Sequence, residues 1–243
     1  MSVHRLKSLQ RETLSVFLAD NLASLTEDET LAVLENPHVT PKVCTAIAQS
    51  QRLTAYYSVR VRLVAHRQTP QAYAMKFVHY LYWRDLVRLS VEVTVSAPVR
   101  RAIDTLLLTR VDKLSLGERI TSAKRCSAVL IRVFLFNHDP KVFTALLLNQ
   151  RLREDDLLLL ASSPQASPEQ LSTLAADRKW SYRYAIRKAL VLNPLTPRAA
   201  AASQLRFLSR RDLVSIHENP STSTYLRRCI ERLAGPRQIE AAD

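Results

Sequence analysis

Prolines that follow a Ser, Thr or Asp recur along this chain at nearly fixed intervals, and that spacing limits the fold more than any single motif. Thr40-Pro41, Thr69-Pro70, Asp139-Pro140, Ser167-Pro168 and Thr196-Pro197 all have the form of a helix start. A short polar side chain caps the first amides, and proline loses no donor at the first helical position. Ala97-Pro98 is an uncapped sixth mark, and Asn219-Pro220 with Ser221-Thr222-Ser223 is a seventh without the second proline. From Pro41 to Pro197 the successive intervals are 29, 28, 42, 28 and 29 residues. A fixed period of this size marks an array of repeats, each too small to bury its apolar face alone. The 42-residue interval exceeds the 28-residue one by 14, room for one further helix and its turn.

Asn-Pro pairs supply the other half of the punctuation, in "VLENPHVTPK" (33–42) and "LVLNPLTPRA" (190–199). Asparagine tolerates the left-handed conformation that ends a helix, and the proline after it cannot continue one. The segments between marks hold two short helices. Three residues past the starts stand Cys44, Tyr73, Arg101, Phe143, Leu171, Ala200 and Leu226, apolar but for Arg101. Ile47, Phe77, Leu146, Leu174 and Ile230 follow at helical spacing. Capping boxes at Thr26/Glu29 and Ser115/Glu118 mark other helix starts, and no long period-two alternation supports strands. The expected fold is all-α: an α-solenoid of about seven helical hairpins with one inserted helix. Residues 1–25 read as a capping helix with Leu6, Leu9, Leu14, Phe17 and Leu18 inward. Residues 26–232 form the array, with the insertion near 110–127, and 233–243 a flexible tail.

The units "YSVRVRLVAHRQTP" and "YAIRKALVLNPLTP" resemble the HEAT-like and leucine-rich-repeat-variant helical repeats of bacterial proteins. Each has an aliphatic-Arg pair, an apolar helix end and Thr-Pro; the Asn-Pro part is present only in the second. The resemblance covers most of the chain and implies an architecture rather than an activity. The cysteine cluster of one iron–sulfur member of that group has no counterpart here.

Composition narrows function further. The only glycines are Gly117 and Gly235, so no glycine-rich phosphate loop, dinucleotide fingerprint or nucleophile elbow can be written. Cys44, Cys126 and Cys229 are far apart and read as buried free thiols, not a metal or disulfide framework. The N-terminal stretch has no unbroken apolar region, and the most apolar run, "AVLIRVFLF" (128–136), is too short to span a bilayer. A reducing, cytoplasmic setting without membrane insertion is expected.

Positive charge gathers in two windows of a chain whose formal net charge is +13. From 36 to 84 there is no acid and the cations are Lys42, Arg52, Arg60, Arg62, Arg67, Lys76 and Arg84. From 178 to 211 there is again none, with Arg178, Lys179, Arg183, Arg187, Lys188, Arg198, Arg206, Arg210 and Arg211. Tyr56, Tyr57, Tyr80, Tyr82 and Trp83 interleave the first window, and Trp180, Tyr182 and Tyr184 the second. Such patches suit phosphate backbones or acidic peptides. Arg60, Arg88 and Arg187 share one repeat position, ten residues before the next helix-starting proline. An arginine there either bonds a neighbouring helix end or carboxylate, or belongs to a ladder of binding cations. The candidate binding face is Arg60, Arg62, Arg84, Arg88, Arg183, Arg187, Lys188, Tyr57, Trp83, Trp180 and Tyr184.

Catalytic chemistry finds no comparable pattern. His4, His38, His66, His79, His138 and His217 lack metal-ligand spacing, and no Ser-His-Asp or Cys-His arrangement stands out. Glu154, Asp155 and Asp156 precede an apolar run, where acids favour a helix N-terminus. The expectation is a non-enzymatic scaffold, without cofactor or metal, holding an acidic protein or peptide. The alternative is a DNA- or RNA-binding protein using the same face; a HEAT-like DNA glycosylase comes third.

Overall fold

A computed structural model describes residues 3–234, and every described element is helical. By internal contacts the chain divides into two compact units, residues up to Glu118 with Arg125–Ser127, and Arg119–Lys124 with Ala128 onward. The first unit holds α1 (Val3–Leu6), α2 (Arg11–Asn21), α3 (Glu27–Leu34), α4 (Pro41–Gln49) and α5 (Gln51–Ala55). It continues with α6 (Tyr57–Ala65), α7 (Gln71–Val78), α8 (Trp83–Ser90) and α9 (Ala97–Arg110). The boundary between units falls in α10 (Leu116–Ala123), inside the predicted insertion, and Ser115 and Glu118 form the expected capping box at its start. The second unit contains α11 (Ala128–Leu135), α12 (Pro140–Leu147), α13 (Glu154–Ala161) and α14 (Pro168–Ala176). It ends with α15 (Tyr184–Leu192), α16 (Arg198–Leu205), α17 (Arg210–Glu218) and α18 (Thr224–Ala234).

Within each unit helices pack on the equivalent helix one repeat along. In the first unit α3 packs on α6, α6 on α8 and α7 on α9. In the second, α11 packs on α13 and α13 on α15, while α12, α14, α16 and α18 contact in succession. The apolar spacing supplies the cores: Ile47, Leu63, Leu86 and Ile103 are fully buried in the first unit, and Phe134, Phe143, Leu174 and Leu190 in the second.

The predicted punctuation is placed correctly but works differently. Asn193 and Asn219 are extended, with φ/ψ of −78°/118° and −63°/121°, so neither ends its helix by a left-handed turn. Instead the buried Asn193 amide donates to the carbonyls of Ala161 and Ser163 (2.7 and 3.1 Å), at the end of α13. Its Oδ1 accepts the Leu195 N–H at 2.9 Å, fixing its own turn. Asn36 repeats both bonds with Leu6, Leu9 and His38, and Asn149 with Ala123 and Arg151. Gln170 reaches Leu135 and Asn137 at the end of α11 in the same way. Helices of eight or nine residues leave about half their carbonyls without an intrahelical partner, so these amides answer a real deficit.

Asp139 and Ser167 cap their helices as expected. The Thr-Pro pairs do not. Pro70 and Pro197 are extended (ψ 136° and 134°), so α7 and α16 begin one residue later with the proline at the cap. The hydroxyl of Thr196 is buried and finds no hydrogen-bond partner among the described residues. At the N-terminus, the single expected capping helix is two, α1 and α2, broken at residues 7–10; Leu6, Leu14 and Leu18 are buried, Leu9 and Phe17 half-buried. Nearly all of the predicted tail, residues 235–243, lies outside the described residues.

Two neighbours in one turn should therefore respond oppositely. Asn193→Ala strands two helix-end carbonyls and should cost about 2 kcal/mol. Thr196→Val removes a buried hydroxyl that has no partner and should be neutral or stabilising. Urea midpoints of the two variants check both.

Candidate basic and aromatic faces

The residues chosen from sequence group into two similar clusters, one in each unit. In the first, the Tyr57 hydroxyl donates to Asp85 Oδ2 at 2.6 Å and accepts the Tyr82 N–H at 3.1 Å. Tyr82 is the N-cap of α8 and Asp85 lies three residues on, so a tyrosine from the preceding repeat completes this helix start. The second cluster repeats it: the Tyr184 hydroxyl donates to Asp212 and accepts the Ser209 N–H at 3.0 Å, at the start of α17. Burial and the Asp85 carboxylate push the Tyr57 phenol up to about 12. Lys188, 2.8 Å away, and Tyr184 hold the Asp212 carboxyl below the usual range.

The recurring arginine is a strut at two of its three positions. Arg60 Nε donates to Thr54 O and a terminal nitrogen to Ala55 O (3.1 Å). Arg187 Nε donates to Ser181 O. Each guanidinium also lies over an aromatic ring twenty residues on, Arg60 over Tyr80 (5.5 Å) and Arg187 over Phe207 (3.8 Å). Arg88 departs from this pattern and reaches Asp85, one turn back, at 3.4 Å.

The remaining cations meet acids brought in by folding. Arg183 lies 3.7 Å from Glu154, and Arg62 lies 3.9 Å from Glu35, which Lys7 holds at 2.6 Å. Arg84 is exposed and Trp83 half-buried. Trp180 does not belong to an exposed face: it is 5 % exposed, a core anchor whose wide apolar ring is taken up by packing. Around it stay exposed Arg178, Lys179, Tyr182, Arg198, Arg206 and Arg211, with Arg183 over Tyr182 (4.9 Å) and Arg206 over Phe207 (4.6 Å).

Asp85, Asp212, Tyr80 and Phe207 are the members that the sequence reading passed over. One signal marks them: Tyr57, Arg60, Tyr80 and Asp85 match Tyr184, Arg187, Phe207 and Asp212 at a constant offset of 127 residues. Folding also makes a Cys–His contact that sequence did not single out. Cys44 Sγ lies 3.5 Å from His66 Nδ1, which also accepts the Gln68 N–H at 3.1 Å. Burial pushes the Cys44 thiol up to about 11, so the pair holds a thiol rather than a nucleophilic thiolate. Cys126 is likewise buried, whereas Cys229 is half-buried.

A shallow concavity of about 290 Å³ opens in the first unit between α3, α6 and α8, lined by Leu31, Tyr57, Val61, Arg62, Ala65 and Arg88, with Ser58 and Asp85 at its edge. Among the described residues no three His, Cys, Asp or Glu side chains gather as metal ligands, and no helix is long and apolar enough to cross a membrane. Comparison with protein-family models, curated proteins and solved structures gives no match.

The struts should register as stability. Tyr57→Phe and Tyr184→Phe should each cost about 1 kcal/mol, and Arg187→Gln should lower the melting temperature. A double-mutant cycle of Tyr184→Phe with Asp212→Asn should be non-additive.

Acid should expose the Cys44–His66 pair. Burial, and secondarily Arg62, hold His66 below its ordinary 6.5, so the folded state favours the neutral ring. Its contribution is complete above pH 6.5 and lost as pH falls through the lower folded value. Denaturant midpoints measured against pH should fall less steeply for His66→Gln than for the parent chain.

Proposed function

We propose that the chain is a non-enzymatic α-solenoid scaffold, of the HEAT-like kind, whose basic and aromatic faces hold an acidic protein or peptide. Helices that pack on their equivalents one repeat along within each unit support the solenoid part. The observation that carries the choice of partner is the carboxylate set into each basic cluster. Glu35 stands beside Arg62, Asp85 beside Arg88, Glu154 beside Arg183 and Asp212 beside Lys188. A phosphate backbone presents unbroken negative charge and would meet these acids repeatedly, whereas a peptide of mixed composition can place its own cations and apolar side chains against them. The exposed arginines beside Phe207 and Tyr182 supply flat cationic surfaces for carboxylates. A reducing setting fits the buried free thiols Cys44 and Cys126.

Fluorescence anisotropy in a sodium chloride series tests this reading with a labelled glutamate-rich peptide and a labelled DNA duplex. The peptide should bind, and Arg198→Gln, Arg206→Gln and Arg211→Gln together should weaken it by about tenfold or more, because all three side chains are exposed. DNA should bind weakly at physiological salt. Tight DNA binding with a steep log–log salt slope, abolished by the same triple substitution, would overturn the proposal in favour of a nucleic-acid-binding protein.

A further inference from the structure

Residues that stack repeats recur in this chain, and two arginines in the first unit do not. At the 127-residue offset Tyr57, Arg60 and Asp85 find Tyr184, Arg187 and Asp212, but Arg62 and Arg88 find Ala189 and Ser215. Twenty-eight residues after Arg62 the chain has Ser90. Packing of repeats therefore does not require Arg62, and Arg88 forsakes the carbonyl bonds that Arg60 and Arg187 make. Both line the concavity between α3, α6 and α8.

Ser58, Val61, Arg62 and Ala65 project from one face of α6, at positions i, i+3, i+4 and i+7. Leu31 from α3, with Val61 and Ala65, gives the concavity an apolar floor. Arg62 Nε is buried there and finds no hydrogen-bond partner among the described residues. Its contact with Glu35, at 3.9 Å, is too long for a hydrogen bond. Three carboxylates lie around the site and each is engaged: Glu35 by Lys7, Asp85 by Tyr57 and Arg88, and Glu27 by Ser58. A guanidinium carries five donors, so Arg88 retains several beyond the one on Asp85.

We infer that this concavity is a carboxylate-recognising notch that takes one acidic side chain of the partner peptide together with an adjacent aliphatic one. The inference rests on the acidic-peptide reading above and names where part of that peptide docks in the first unit. A volume of about 290 Å³ lies at the floor of the range for small-molecule sites, which suits one or two side chains rather than a cofactor. The carboxylate meets Arg62 and Arg88; the aliphatic group covers Leu31, Val61 and Ala65 and shields the charge pair from water.

A labelled peptide of alternating glutamate and leucine is titrated against the full chain and against Arg62→Gln, Arg88→Gln and Ala65→Phe. Each variant should bind at least about tenfold more weakly, the first two by losing charge and the third by filling the notch. Thermal melts accompany the titrations. Arg88, half of whose side chain is exposed, should melt unchanged as glutamine, so its result stands even if Arg62→Gln loosens the fold. Full affinity in both Arg88→Gln and Ala65→Phe overturns the notch and leaves the scaffold reading intact. No binding by the parent chain overturns both.

Discussion

A side-chain amide closing the carbonyl end of a helix about thirty residues earlier is the interaction on which this architecture depends. Helices here run mostly to eight or nine residues, and each contributes four carbonyls without an intrahelical acceptor role. On a surface water would satisfy them. Between stacked helices they must find donors, and Asn36, Asn149, Gln170 and Asn193 provide these from buried positions. The asparagines simultaneously fold their own turn through Oδ1, so one residue fixes both the local chain reversal and its distance from the previous repeat.

A second, more peripheral set of contacts acts at the opposite end of the helices. Tyr57 and Tyr184 reach forward 28 residues to the first turn of α8 and α17, where the hydroxyl mediates between the cap amide and the aspartate at the third position. Carbonyl ends are thus closed from the repeat that follows, and amide ends from the repeat that precedes. Propensity alone would not hold such short helices, and these exchanges make each conditional on its neighbours.

Much of this was legible in the sequence, and its failures have a common cause. The proline period located the helix starts, and the apolar spacing located the cores. The asparagine role was not legible, because its carbonyl partners lie 26 to 32 residues away and asparagine is equally at home in a left-handed turn. The acid-free windows misjudged the faces for a related reason. Asp85 and Asp212 stand immediately after Arg84 and Arg211, the last cations of the two windows, and folding turns both acids back inward. Trp180, placed among cations in the sequence, is drawn into the core by an area of ring that no neighbour in the chain reveals.

Recurrence itself separates the two roles that a basic residue can have in such a chain. Arg60 and Arg187 repeat because the geometry they serve repeats: a short link whose carbonyls need a donor, and an aromatic ring twenty residues on. A ligand imposes no such period. A residue selected to touch one is free to appear once, in whichever repeat the ligand meets. Arg62 is such a residue, partly buried, lacking a counterpart at either offset and with its Nε unpaired among the described groups. An unsatisfied guanidinium nitrogen is a cost that repeat stacking does not demand, and a carboxylate from outside is the group that would remove it.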